Sequence, residues 1–156
     1  MARDPQSSSP APRVLVASRD PAAAAALLEL LAEAGMAAHR VEPAGLAPVA
    51  GAASERPATD LGAFDVVLID SPDLGEAEWT LVARVRARSP MMEIVIIAAD
   101  GAVDNAVLAV RTGVFAVLPS PVTREQLRTA VAGAHRRKRR GEQRIAALNG
   151  AGSRTR

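Results

Sequence analysis

Phe64-Asp65-Val66-Val67-Leu68-Ile69-Asp70 is the stretch on which the fold turns. Residues 66–69 are consecutively apolar and mostly β-branched, so they leave no polar face and read as a strand buried on both sides of a parallel sheet. A carboxylate, Asp70, closes the run. Upstream the same pattern opens the ordered chain: Val14-Leu15-Val16-Ala17 is a second buried strand. Asp20 and Pro21 then supply an N-cap and a first-turn proline. Ala23, Ala26, Leu27, Leu30, Leu31 and Ala34 keep helical spacing until Gly35 stops the helix. Residues 37–42 form a weaker strand, and the Ala/Gly/Pro-rich stretch 43–63 has room for one short, poor helix.

Downstream of Asp70 a loop with Pro72 and Gly75 leads into a helix from about Glu76 to Arg88, with Leu81, Val82 and Val85 inward. Ile94–Ile97 is the next buried strand. After Asp100-Gly101, Val103, Ala106, Val107 and Val110 recur at i, i+3, i+4, i+7, the spacing of one helix face. Val114–Leu118 gives the last strand. Thr123 and Gln126 form a capping box, and Leu127, Ala130, Val131 and Ala134 mark a final helix that runs into Arg136–Arg140. Five strands thus alternate with five helical segments, so the connections are crossovers. The class is α/β, a doubly wound five-stranded parallel sheet with helices on both faces. In such sheets the crevice lies beyond the carboxyl ends of the strands. Ser18, Arg19, Asp20, Asp70, Ser71, Ala98, Ala99, Ser120 and Pro121 stand there.

Composition narrows the chemistry. The chain has 156 residues, 49% of them hydrophobic, enough to bury the core of about one domain. With no cysteine and two separated histidines, His39 and His135, neither a thiol nucleophile nor a thiolate or histidine metal centre is available. No apolar run approaches the ~18 residues of a membrane span, and the opening MARDPQSSSPAP has no apolar signal core. A cytoplasmic protein is expected. Residues 1–12 read as a disordered leader, 13–136 as the domain and 137–156 as a basic flexible linker. Charge divides along the same line: residues 136–156 hold eight basic residues and one acid, leaving a body of net −5 and a tail of net +7.

Over roughly 13–136 the residues resemble the receiver domain of bacterial response regulators, a flavodoxin-like fold. Arg13-Val-Leu-Val-Ala-Ser-Arg-Asp-Pro21 resembles the first receiver strand with its acidic pocket, and Phe64–Asp70 the strand that ends in the phospho-accepting aspartate. Gly113-Val-Phe-Ala-Val-Leu-Pro-Ser-Pro121 resembles the last strand and its Lys-Pro turn. The order and the spacings, 28 residues from Asp70 to Ala98 and 22 from Ala98 to Ser120, support the fold. They do not carry the activity with them. Aspartyl phosphorylation needs a divalent cation held by hard oxygen ligands. Where the family has an acidic pair this chain has Ser18 and Arg19, leaving Asp20, better placed to cap the helix. The family's phosphoryl-binding hydroxyl matches Ala98, its lysine matches Ser120, and its aromatic switch residue matches Val117. Asp70 survives, and Pro121 keeps the turn, with scope for a cis bond. The resemblance is therefore to a degenerate receiver in which Asp70 is an inactive phospho-acceptor position. Arg19 is expected to pair with Asp70 across the strand ends in place of the cation. No catalytic residue, metal or cofactor is expected, and an enzyme is the least favoured class.

Arg136–Arg140 could contact phosphates, but cations at a helix C-terminus also suit the macrodipole and a solvated linker. Without a recognition helix, and with only 2% aromatic residues, the linker reading ranks above nucleic acid. Trp79 is expected to pack its own helix. Receivers commonly dimerise through the helix, strand and helix that close the domain. Val103, Val107, Val110, Val114 and Phe115 make that region more apolar than a solvated face requires, so they are the interface candidates of an expected homodimer. The resemblance extends to the atypical receiver at the N-terminus of CpaE/TadZ-type Flp pilus assembly proteins. In these a ParA/MinD-like ATPase follows, although this chain has no GxxxxGK[ST] loop. It implies a phosphorylation-independent interaction, dimerisation and localisation module with secretion or pilus machinery as partner. Two alternatives stand beside it: a regulator phosphorylated at Asp70 that controls a further output domain, and a DNA-associated regulator using the basic tail.

Overall fold

The computed structural model describes residues 10–46, 60–71, 75–99 and 113–152. Five parallel strands form one sheet: β1 (Arg13–Ala17), β2 (Ala37–Val41), β3 (Val66–Asp70), β4 (Glu93–Ala99) and β5 (Ala116–Ser120), in the order β2-β1-β3-β4-β5. This is the doubly wound order in which the direction of winding reverses between β1 and β3. Ser18 and Asp70 therefore flank the reversal point.

Alternation along each strand sends side chains to opposite faces, and both faces are apolar. Leu15, Val67, Ile69, Ile94 and Ile96 point to one face, where they meet Val82 and Val85 of α3 (Glu76–Arg88), Leu46 of the short α2 (Pro43–Leu46), Leu61 and Met92. Val14, Val16, Val66, Leu68, Val95 and Ile97 point to the other. There they pack on Leu27 and Leu31 of α1 (Pro21–Glu33) and on Leu127, Val131 and Ala134 of α4 (Arg124–Gly152). Each such aliphatic side chain, removed from water, contributes roughly 1.5–3 kcal/mol. Trp79 packs against the first face, as its helical position implies.

Local chemistry sets the helix ends. Asp20 caps α1 by accepting the Ala22 N–H at 3.0 Å. At the other end Gly35 takes φ +79°, and Met36 N–H reaches back to the Leu31 carbonyl at 2.9 Å, which closes the helix with a left-handed residue. The capping box of α4 forms in both directions, Thr123 N–H to Gln126 at 3.0 Å and Gln126 N–H to Thr123 at 3.1 Å.

Two expected boundaries move. The last strand spans 116–120 rather than 114–118. Val114 is buried in the core just ahead of the ladder, and the continuous apolar run 114–118 carries no mark of where pairing begins. The final helix does not give way to a flexible linker at 137 but continues unbroken to Gly152. The body holds it: Arg137 binds Glu93, Lys138 meets Asp65 at 3.0 Å, and Gly141 lies against Met91. Asp65 also accepts the Arg13 N–H at 2.9 Å and lies 3.8 Å from His135. Burial alone would raise its pKa, but the Arg13 N–H and the Lys138 ammonium outweigh burial and hold it below the ordinary value. The helical segment expected over 102–112 lies outside the described residues. No helix among the described residues is long and apolar enough to cross a membrane.

If Lys138 clamps α4 to the sheet, Lys138→Ala leaves the partly buried Asp65 with the Arg13 N–H but without its ammonium partner, and costs about 2 kcal/mol in urea unfolding. Faster amide exchange beyond residue 138 accompanies that loss. A variant within about 0.5 kcal/mol of the parent would show that the ion pair does not hold the helix.

Candidate functional site

The carboxyl ends of β1 and β3 bring Ser18, Asp20 and Asp70 together. Ser18 is 1% exposed, and its hydroxyl donates to the Asp70 carboxylate at 3.1 Å while accepting the Asp20 N–H at 3.2 Å. The Ser18 carbonyl accepts from the Arg40 guanidinium at 3.2 Å, and Arg40 also pairs with Glu42 at 3.3 Å. Burial raises the Asp70 pKa. The Ser18 hydrogen bond opposes that rise and the Asp20 charge adds to it.

The expected Arg19–Asp70 pair does not form. Arg19 is exposed and its charge falls on Glu78, the third residue of α3. The cause is the change of direction at the end of β1: Ser18 takes the buried position and Arg19, one residue on, points outward. Burial would raise the Glu78 pKa. The Gly75 N–H at 2.9 Å, the Ser71 hydroxyl at 3.0 Å and the Arg19 charge lower it instead.

The other strand ends add little chemistry. Ala98 is buried, with only a methyl to offer. Ser120 pairs in register with Ala99, is exposed, and precedes Pro121 through a cis peptide bond. Val117 is half-buried against the first core face. Of the interface candidates, Val103, Val107 and Val110 lie outside the described residues. Val114 is buried within the chain and has no surface to give. Phe115 is half-buried, with the Arg137 guanidinium 4.9 Å from its ring centre.

Two participants, Glu78 and Arg40, lie outside the strand-end motifs. Glu78 sits three residues after Gly75, the N3 spacing at which a carboxylate reaches back to the helix start, and that spacing could have singled it out. Arg40 carries no such signal, because only the β1–β2 register brings residue 40 to residue 18.

No family model matches the chain. A response regulator receiver domain protein of Clostridium thermocellum superimposes with a TM-score of 0.64 at 25% identity, over 82% of this chain and 97% of that one. The five-stranded order and this superposition agree. The chain has the receiver fold of response regulators. A CpaE pilus assembly protein of Burkholderia thailandensis matches with a TM-score of 0.65 at 27% identity, over 78% and 96% of the two chains. The alginate biosynthesis transcriptional regulatory protein AlgB of Pseudomonas aeruginosa is 35% identical over 94 residues, 60% of this chain. The chain spans 20% of the length of that curated relative.

Receivers imply a divalent cation beside the acceptor aspartate, and the donors among the described residues do not fit one. Among the described residues no three His, Cys, Asp or Glu groups are placed to hold a metal. Asp20 already caps α1, and Ser18 fills the place of a carboxylate with a neutral hydroxyl. A half-buried carboxylate facing a hydroxyl and a second acid has a folded-state pKa above its unfolded one. Its contribution to stability is therefore complete below about pH 3.9 and lost as pH rises through the folded value. Asp70→Asn is accordingly more stable than the parent near neutral pH, and the advantage shrinks as pH falls into the carboxylate range. Thermal melts at about pH 7 and about pH 4 read this directly. A less stable Asn variant near neutrality would mean that a cation-like partner balances Asp70.

Proposed function

We propose that this chain is a phosphorylation-independent pseudo-receiver, a cytoplasmic interaction, dimerisation and localisation module rather than an enzyme. The observation that carries the reading is the Ser18–Asp70 hydrogen bond. The carboxylate that receivers use as phospho-acceptor faces a buried hydroxyl, the neighbouring acid caps a helix, and the arginine of the pocket points elsewhere. Phosphoryl transfer to a carboxylate depends on neutralising charge on the transferring group, and this constellation supplies no means of doing so.

The likeness to a CpaE pilus assembly protein supports placing the module at the N-terminal side of a pilus assembly or secretion ATPase. Homodimerisation belongs to the same proposal. With Val114 in the core, its apolar surface would have to come from Val103, Val107, Val110 and Phe115. The likeness to AlgB supports a second reading, a receiver phosphorylated at Asp70 that controls a transcriptional output.

Acetyl phosphate with magnesium separates the two. Intact-mass measurement is expected to find no phosphoryl increment on the parent chain under conditions that label an active receiver fully, and light scattering to find a dimer. A phosphoryl adduct that disappears in Asp70→Asn would establish the signalling reading instead. A monomer at high concentration would remove dimerisation from the proposal.

A further inference from the structure

The ordered α4 changes what the basic segment can do. Of its five consecutive cations, Arg137 and Lys138 are committed to the body through Glu93 and Asp65. Glu142, the one acid between 136 and 152, is engaged by Lys138 at 3.2 Å. Arg136, Arg140 and Arg144 have no ion-pair partner among the described residues and are exposed. They recur every fourth residue. At 3.6 residues per turn this stacks three guanidinium groups along one side of the helix, in a ridge about 12 Å long. Arg139 lies on the adjacent flank. Ala134 and Lys138 define the face docked on the sheet and Arg136 lies opposite it; Arg140 and Arg144 step round by about 40° each, on a stretch whose residues 142–150 are all exposed, so a large partner can reach the three.

We infer that the Arg136–Arg140–Arg144 ridge of α4 is a docking surface for the phosphate backbone of double-stranded nucleic acid, read without regard to sequence. A duplex presents closely spaced phosphates on a rigid rod, and a straight row of arginines neutralises them with release of counterions. Arginine suits phosphate geometry, while nothing along the ridge reads base edges and no aromatic side chain is available there to stack on unpaired bases. An anionic bilayer is the weaker partner because an interfacial helix needs a broad apolar face. Among the described residues the exposed large apolar side chains are Ile145 and Leu148, at 47% and 68%, and Leu148 alone follows Arg144 in the row of the ridge. This inference is independent of the pseudo-receiver reading, since it involves the opposite end of the sheet.

The test is fluorescence anisotropy of a labelled, mixed-sequence DNA duplex with the full chain across a salt series. The three ridge arginines together with Arg139 on the flank, four cations at phosphates, give a slope of log affinity against log salt of about −3 to −4, a loss on the order of 100-fold between 50 and 200 mM salt. The triple variant Arg136→Gln, Arg140→Gln, Arg144→Gln should lower the slope to about −1 and weaken binding at least tenfold at low salt. The corresponding triple Arg→Lys variant should keep most of the affinity, and Arg84→Gln, an exposed cation on α3, should change nothing. Circular dichroism confirms that each variant keeps its helices. No duplex binding at low salt, or binding unchanged in the triple Gln variant, overturns the inference. So does capture of the ridge by phosphatidylglycerol vesicles or by a second copy of the chain while the duplex stays unbound.

Discussion

Burial of the sheet on both faces is the constraint from which the rest of this structure follows. In β1, β3 and β4 successive side chains alternate between two apolar layers, and charged groups stand only at the strands' first and last residues, Arg13, Glu93 and Asp70. Polar chemistry is thereby expelled to the strand ends, because only there can a side chain leave the sheet without crossing a core. Among the described residues two polar sites accordingly stand at opposite ends of the same strands: Ser18, Asp70 and Ser71 at the carboxyl ends, and Asp65, Glu93, His135 and Lys138 at the amino ends.

The two ends solve the same electrostatic problem in opposite ways. Asp65 and Asp70 bracket one strand and both are partly buried, yet their pKa values move in opposite directions. A backbone N–H and an ammonium group compensate the burial of Asp65. Asp70 has one hydroxyl to set against burial and against the neighbouring Asp20. Five residues apart, one carboxylate is a structural anchor and the other is an undercompensated charge at the reversal point of the sheet. On the pseudo-receiver reading, what surrounds Asp70, and not its undercompensated charge, sets this chain apart from a receiver that switches.

Continuous apolar runs made most of the architecture legible in the sequence. Val66–Ile69, Val14–Ala17 and Ile94–Ile97 are too uniformly apolar for any position but the middle of a parallel sheet, and the caps at Asp20 and Thr123 are local chemistry. What escaped the reading depends on contacts distant in sequence. Gly141 looks like a helix stop in isolation, yet α4 runs through it: Arg137 and Lys138 are tied to Glu93 and Asp65, and the missing side chain at 141 makes room for Met91. Arg19 was matched to Asp70 from its place in the motif. Which of two consecutive residues turns inward at a strand end is decided by the local backbone, and it is Ser18 that does so. Arg40 was invisible because its role rests on strand register alone.

The amino-end cluster also bears on how a module of this kind could work. A receiver that switches needs two arrangements close in free energy, with a ligand or modification that favours one of them. Here α4 packs on β3, β4 and β5, is capped beside β5 at its start, and is held near its middle by ion pairs to Asp65, just before β3, and to Glu93 of β4. Moving it while Asp65 and Glu93 stay shielded from water would leave both carboxylates without their cations, a penalty set by desolvation and independent of anything at the strand ends above. On the pseudo-receiver reading, the loss of acids around Asp70 and the clamp around Asp65 then belong together. The first removes the trigger and the second removes the movement it would have produced. What is left is a rigid body whose last helix presents its outer face in a fixed orientation, as a docking module requires and a switch does not.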